Sequence, residues 1–449
     1  MKKVITYGTY DLLHQGHINL LRRAKELGDY LIVGVTSDSY DKERGKLSVR
    51  NNVLERVQSV KNTGFADEII IEDYIGQKID DIQRYEVDIF AIGSDWEGQF
   101  DYLKEFCDVI YLSRTEGISS SMLREEDQKT LRLGIIGSGR IANRFIPEIN
   151  YVSGVEAYSV LNPINEYEAK LLAENFKLKE YHTSFEKFIE NIDAVYIASP
   201  HLTHFEYAKR SLLAQKHVLC EIPFVLDENE AKILYKIAEE NKLVLLEASK
   251  TAHCPAFNHL VSLIKSGVIG DVIDVRSSLS KLSSGNLREL DASQAGGSMT
   301  ELSPLPLLSI IKLLGVNFKE VLFHSKIENN VDIFTKGIIN YDNAVSTITL
   351  GLGVKTEGNL VISGTKGYIY VPSPWWRTDY FELRYEDQNK NKKYFYAYEG
   401  EGLRYELQEF ISMINAGRIS TYRLRRTESI AIANIIGRYR RGENLTILK

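Results

Sequence analysis

Cysteine is scarce: three in 449 residues, Cys107, Cys220 and Cys254. No two form a CxxC pair, and none has metal-ligand spacing with the nine histidines. That excludes a disulfide framework and a zinc module as the basis of the fold. The expected state is buried, reduced thiol in a reducing compartment, hence a cytoplasmic protein. Basic charge is not in excess either. With 55 Lys and Arg against 61 Asp and Glu, the net charge is −6, which argues against a general nucleic-acid or membrane-surface role and leaves room for a local phosphate site. No apolar stretch approaches bilayer-spanning length, so no membrane insertion is expected. The opening MKKVITYGTYD has too short an apolar run for a signal peptide and reads as a first β-strand. Short-period repeats are absent.

What is present is an ordinary globular composition, 44% hydrophobic and 26% charged, in a chain long enough for two to four domains. KKVITYG, YLIVGVTSD, DEIIIED, VDIFAIGSD and DVIYLSR are rich in Val and Ile and predict buried parallel strands. Amphipathic segments lie between them, such as HINLLRRAKELG, with Ile18, Leu21, Ala24 and Leu27 on one side. Strands alternating with helices imply βαβ units and a right-handed parallel sheet. The polar stretch SSSMLREEDQKT follows, and LRLGIIGSGRIANRF starts a new strand, turn and helix, which puts a boundary near residue 130. AVYIASP, HVLCEIP and LVLLEAS continue a second doubly wound sheet to about residue 250.

Beyond that point the pattern changes. GDVIDVRSSLS, DIFTKGIINY, NAVSTITLGLG, GNLVISGTKGYIYVPSP and YFELRYED alternate between turns and predict a mostly antiparallel sheet. Helices over LRYELQEFISMINAG and TESIAIANIIGRYRR close the chain. The expected class is α/β in three domains: a Rossmann-like domain at 1–128, a second Rossmann domain at 131–250, and an α/β domain with an open, mostly antiparallel sheet at 251–449.

The run GTYDLLHQGH ends the first strand and opens a helix. Gly8 lets backbone approach a ligand. A helix N-terminus near His17 presents unpaired N–H groups and partial positive charge, which suits phosphate. His14 and His17, one turn apart, can both donate to phosphate oxygens and stabilise charge on a transferred phosphoryl group. Taken singly, either histidine reads as a helix cap or a surface group; the H-x-G-H spacing after a strand end points to function. In SRTEGISSS, Arg114 offers a fork of donors, Gly117 a tight turn, and Ser119, Ser120 and Ser121 a helix N-cap. Together they make a second anion cradle across the C-terminal edge of the sheet.

GTYDLLHQGH, SRTEGISSS and GSDWEGQFDYL, in this order, resemble the signatures of the HxGH nucleotidyltransferases and, within them, the glycerol-3-phosphate cytidylyltransferases, over residues 1–128. The resemblance implies that Gly8, Thr9, Tyr10 and Asp11 line or support a CTP pocket, with Asp95 and Trp96 in the match to DWEG. His14, His17, Lys46 and Arg114 would act on the phosphates. Thr115, Glu116, Gly117, Ile118, Ser119, Ser120 and Ser121 would hold base, ribose and phosphates. Arg44, Arg56 and Lys78 fall on the acceptor side. Two departures, Arg44 where the family has lysine and Gly64 where it has arginine, bear on which polyol phosphate is taken. The implied reaction is attack by the acceptor's phosphate oxygen on the α-phosphorus of CTP, giving a CDP-alcohol for cell-surface polymers and pyrophosphate. Mg2+ would be held mostly by the nucleotide, with no dedicated protein metal site. A homodimer is implied as well.

GIIGSGRIANRF sets Gly137, Gly139 and Ala142 as G-x-G-x-x-A between a strand and a helix. With YIASPHLTHFEYAKRSL and KHVLCEIPF it resembles the Gfo/Idh/MocA oxidoreductases over about residues 131–449. That resemblance implies NAD or NADP held by Gly137, Gly139, Arg140, Ile141, Ser199, Pro200, His204 and Glu221. Asn162 stands where the family often has an acid for the ribose. Two proton-transfer positions are aliphatic here. The family's Glu-Lys-Pro is Glu221-Ile222-Pro223, and its acid followed four residues later by His or Tyr is Glu301 and Leu305. Lys250 is the possible substitute acid, or else a plain structural lysine. Three functions follow: a cytidylyltransferase with an oxidoreductase-like module lacking its usual catalytic groups, a bifunctional enzyme whose second module reduces a keto-phosphate to the polyol phosphate, or a nucleotide-sensing regulator.

Overall fold

The computed structural model of the chain describes residues 1–449 except 14, 44–48, 50, 52, 75, 114–129, 286 and 397; for Gln15, Ser39, Lys42, Glu43 and Asp95 it describes the backbone alone. The chain divides into two compact units, Met1–Thr130 and Leu131–Lys449.

In the first unit, β1 (Lys3–Gly8), β2 (Tyr30–Thr36), β3 (Glu68–Glu72), β4 (Ile89–Gly93) and β5 (Asp108–Leu112) form a parallel sheet in the order β3-β2-β1-β4-β5. Val4 and Ile5 point to opposite faces and both are fully buried, so each face is covered. This is why the strand reads as a continuous apolar run. The helix Gln15–Lys25 buries Leu21 and Ala24 against the sheet, and Arg22, Arg23 and Lys25 in its last turn complement its dipole. The order reverses between β1 and β4, which opens a crevice at their C-terminal ends.

The second unit holds two sheets. β6 (Leu131–Ile136), β7 (Val155–Leu161), β8 (Glu180–His182), β9 (Ala194–Ile197), β10 (His217–Glu221) and β11 (Leu245–Ala248) pair in parallel in the order β11-β10-β9-β6-β7-β8. The other sheet contains β12 (Val272–Ser280), β13 (Glu320–Glu328), β14 (Val331–Asn340), β15 (Val345–Gly351), β16 (Leu360–Gly364), β17 (Tyr368–Val371), β18 (Tyr380–Arg384), β19 (Lys392–Phe395) and β20 (Leu445–Ile447). Its order is β19-β18-β17-β16-β12-β15-β14-β13-β20, antiparallel except at β12–β15 and β13–β20. One face packs Val275, Ile348, Ile362 and Phe381 against Phe257 of the helix Pro255–Lys265, Leu308 of Pro304–Leu314 and Ile435 of Arg426–Arg440. Among the described residues no helix is long and apolar enough to cross a membrane.

Candidate functional sites

Gly8 ends β1 with no side chain because the next turn folds back on it. A Cβ there would stand 3.0 Å from the Tyr10 ring. Tyr10 and Leu12 take positive φ, 54° and 46°, which turns the chain sharply toward the helix. Tyr10 is buried and meets the His17 ring edge-on, 5.5 Å between centroids. His17 therefore sits in the first turn of Gln15–Lys25, at the C-terminal end of β1, with its ring braced from below.

Arg56 forms the floor of this crevice. It is fully buried, with Nε donating to the Asn51 carbonyl at 2.9 Å and Nη1 to the carbonyls of Thr9 and Thr36, each at 2.8 Å. Nη1 also lies 3.1 Å from Asp41, and Nη2 donates to Asp38. Asp41 accepts from the hydroxyls of Thr9 at 2.9 Å and Thr36 at 2.8 Å, and Asp11 accepts from the Asn51 N–H at 3.0 Å. One guanidinium thus ties the ends of β1 and β2 to the helix Val53–Asn62. Arg56, expected on the acceptor side, is here buried among carbonyl and carboxylate partners and holds the turn in place.

Lys78, also expected on the acceptor, is buried and paired with fully buried Glu72, its Nζ 4.6 Å above the Tyr7 ring. Tyr7 donates to Asp81 at 2.8 Å, and burial, then Asp81, pushes its hydroxyl far above the usual range. The turn Ser94–Trp96 follows β4 and carries the Asp95 backbone, with the Trp96 ring 5.9 Å from that of Phe100. His14, Arg44, Lys46, Arg114, Thr115, Glu116, Gly117, Ile118, Ser119, Ser120 and Ser121 lie outside the described residues.

In the second unit the turn after β6 brings backbone close to β9. Gly137 has φ 105°, and a Cβ on it would stand 2.6 Å from the Ala198 carbonyl oxygen. Gly139 is the N-cap of the helix Arg140–Ile149, with open space where a Cβ would be. The first helical residues, Arg140 and Ile141, thus begin at an accessible N-terminus suited to a dinucleotide's phosphates. Asn162 donates to Ser138 at 2.7 Å and to Glu168 at 3.2 Å, and Ser138 donates to Glu168 at 3.1 Å. The carboxylate beside this turn comes from the helix Glu166–Phe176, not from the end of β7.

His204 joins two loops at the edge of the parallel sheet. Its nitrogens lie 2.8 Å from the Ser199 carbonyl and 2.9 Å from that of Pro223, where the Ile222–Pro223 peptide is cis. Burial pushes its pKa down to about 4, against the pull of the two carbonyls. Ser199 bonds Thr203 at 2.7 Å, and Thr203 donates to the Pro200 carbonyl at 2.7 Å. Glu221 accepts from the Tyr196 hydroxyl and from the Ile222 N–H at 3.2 Å, and burial pushes its carboxyl up. Lys250 donates to the Glu401 carbonyl at 3.0 Å, and burial pushes its ammonium down. Glu406 is fully buried with no hydrogen bond to either oxygen, and burial raises it strongly. Leu305 is buried and apolar, while Glu301 is held by His201 and Arg288.

The cytidylyltransferase-like family matches residues 5–126, and the NAD-binding Rossmann fold of the Gfo/Idh/MocA oxidoreductase family matches residues 131–249. Glycerol-3-phosphate cytidylyltransferase of Staphylococcus aureus is 51% identical over 126 residues, 28% of this chain and 95% of that protein. The chain belongs to the cytidylyltransferase family. This cytidylyltransferase is fused to an oxidoreductase module. Trans-1,2-dihydrobenzene-1,2-diol dehydrogenase of Oryctolagus cuniculus is 25% identical over 324 residues, 70% of this chain and 98% of that protein. A 3-ketoreductase from Actinomadura kijaniata, solved with NADP and TDP-benzene, superposes with a TM-score of 0.64 at 20% identity, over 71% of this chain and 99% of that one. That likeness is one of fold.

The cytidylyltransferase holds several groups near its turns that no motif announced. Asp41 and Thr36 brace Arg56, and Tyr7 bonds Asp81. Glu168 reaches Ser138 from a neighbouring helix. His201 and Arg288 meet on Glu301. Of these, only His201 had a local signal, as the second polar ring in SPHLTH beside His204.

Proposed function

We propose that the first unit transfers a cytidylyl group from CTP to a polyol phosphate, glycerol 3-phosphate foremost, releasing pyrophosphate. The observation that carries this reading is the 51% identity to a glycerol-3-phosphate cytidylyltransferase across 95% of that protein's length. The geometry supports it. His17 stands at a helix N-terminus over a braced turn, where a donor can stabilise charge building on a transferred phosphoryl group. His14, Lys46, Arg114 and the segment from Thr115 to Ser121 complete the proposed CTP site, with Arg44 and Lys78 toward the acceptor. Mg2+ is proposed to be held mostly by the triphosphate. When bound there it would neutralise phosphate charge, and the protein's part is to position and donate.

The test is pyrophosphate release from the full chain with CTP and Mg2+, using glycerol 3-phosphate and ribitol 5-phosphate in parallel. Release with glycerol 3-phosphate is expected. Silence with every polyol phosphate would overturn the proposal.

A second activity is favoured by the cradle at Gly137 and Gly139 and by Lys250 near Glu221. In this reading the second unit binds NAD(P)H and reduces a keto-phosphate to the polyol phosphate that the first unit activates. Ser199, Pro200, His204 and Glu221 shape the cofactor's edge of the sheet. NAD(P)H oxidation with dihydroxyacetone phosphate or ribulose 5-phosphate, lost in Lys250→Ala, is the expected result. At the edge of the nine-stranded sheet the exposed Phe395 packs on Tyr380, 4.6 Å between ring centroids, an apolar patch suited to a homodimer, which a solution mass of twice 51.2 kDa would verify.

A further inference from the structure

The imidazole that the oxidoreductase resemblance leads one to expect at position 305 is replaced by Leu305, yet another imidazole stands on the same acid. His201 lies in the turn after β9, and its Nε2 is 2.8 Å from Oε1 of Glu301, 100 residues further on in the short helix Ser298–Leu302. Arg288 donates from Nη2 to Oε2 of Glu301 at 2.9 Å, and its Nη1 lies 2.8 Å from Oε1. Burial works to raise the Glu301 carboxyl, but His201 and Arg288 hold it below the usual range, so it is ionised.

An ionised carboxylate only accepts hydrogen bonds. Nε2 therefore carries a proton, which leaves Nδ1 as the ring nitrogen that can exchange one with a ligand. Nδ1 is buried without a hydrogen-bond partner. A buried polar atom left without a partner is unfavourable, and a native fold keeps one where a ligand group is to arrive. His204, with its ring centroid 5.6 Å away, has both nitrogens on backbone carbonyls and is not that donor.

We propose that His201, oriented by Glu301, is the proton-transfer group of the second unit, acting on the oxygen of a small polyol phosphate or keto-phosphate. The proposal rests on the reading that this unit binds NAD(P) and transfers hydride. In oxidation, the substrate's O–H proton passes to Nδ1 and the C=O bond forms. The hydrogen on that carbon leaves with its electron pair for the nicotinamide of bound NAD(P)+. In reduction the hydride returns from NAD(P)H and the His201 imidazolium gives the proton to the alkoxide oxygen. Glu301 is a positioning residue that stabilises the imidazolium.

The experiment uses the full chain with NADH and either dihydroxyacetone phosphate or ribulose 5-phosphate. It compares wild type with His201→Gln, His201→Asn and Glu301→Gln, and measures NADH binding by fluorescence alongside turnover. Either histidine variant should lose about 100-fold or more in kcat with NADH affinity within twofold of wild type. Glu301→Gln should lower kcat and move the pH profile of reduction toward acid, because the anion that stabilises the protonated ring is gone. Histidine variants that turn over within a few-fold of wild type, or that lose NADH binding together with turnover, would overturn the role of His201 while the redox reading stands. A wild type that binds NADH but reduces neither ketose overturns the redox reading and this proposal with it. A wild type that does not bind NADH overturns the dinucleotide site itself.

Discussion

Arg56 shows how much of a phosphate-handling turn depends on a side chain that never meets the ligand. Its planar fork reaches three backbone carbonyls and two aspartates, which a lysine's point charge cannot match. Arg56→Lys leaves buried Asp41 without its fork, and a cost of about 3 kcal/mol in the first unit's stability is expected, read as a lower first thermal transition. The KM for CTP should rise as well, because the Thr9 turn loses its anchor. Glu168 makes the opposite case of a ligand-facing group. It lies with Ser138 and Asn162 beside the Gly137 turn, and a carboxylate there would accept from ribose hydroxyls and repel a 2′-phosphate. NADH should bind at least about tenfold tighter than NADPH, and Glu168→Gln should narrow that gap. Fluorescence titration with both cofactors checks this, and equal affinities in wild type would contradict it.

At the scale of elements, much of the fold was legible. All five strands of the first sheet and the helix Leu403–Asn415 lie within the segments read from periodicity, while the helices Gln15–Lys25 and Arg426–Arg440 begin two residues and one residue before theirs. β13 was not read, because its buried face carries Ser325, which bonds Thr335 at 2.8 Å and Tyr439 at 3.0 Å and so breaks the apolar alternation. The parallel pairs β12–β15 and β13–β20 were illegible for another reason: register between distant strands leaves no local pattern. For the sites, GTYDLLHQGH and GIIGSGRIANRF announced their turns, whereas the His201–Glu301 contact spans 100 residues and has no spacing to read. β11 adds a pH-dependent feature. Glu247 lies in it beside Cys220 of β10, and burial, with the charges of Glu221 and Glu428, pushes its carboxyl up to about 7 from 4.5. A folded-state value above the unfolded one means that the stability Glu247 lends is full below about pH 4.5 and is lost as pH rises through 7. Between pH 5 and pH 8 or so the second unit should lose up to about 3 kcal/mol from this group. Glu247→Gln should flatten that dependence in denaturant melts at the two pH values.

The whole molecule places two phosphate-cradling turns in units with separate hydrophobic cores. The clusters around Val4 and Ile5 contain only residues of the first unit, and those around Leu133, Ile136 and Phe257 only residues of the second. Since each turn is built on cores of its own unit, the two ligand-binding events should be separable in the intact chain. His17→Ala removes a donor at the first turn, and pyrophosphate release should fall by about 100-fold or more while NADH affinity is unchanged. Gly137→Val sets a branched side chain at φ 105°, where even a Cβ stands 2.6 Å from the Ala198 carbonyl, so NADH binding should be lost while pyrophosphate release continues at the wild-type rate. Measured side by side in full-length protein, these two variants form a reciprocal pair. A His17 variant that weakens NADH binding, or a Gly137 variant that slows cytidylyl transfer, would mean that the units are energetically coupled, and the fusion would then serve regulation rather than proximity alone.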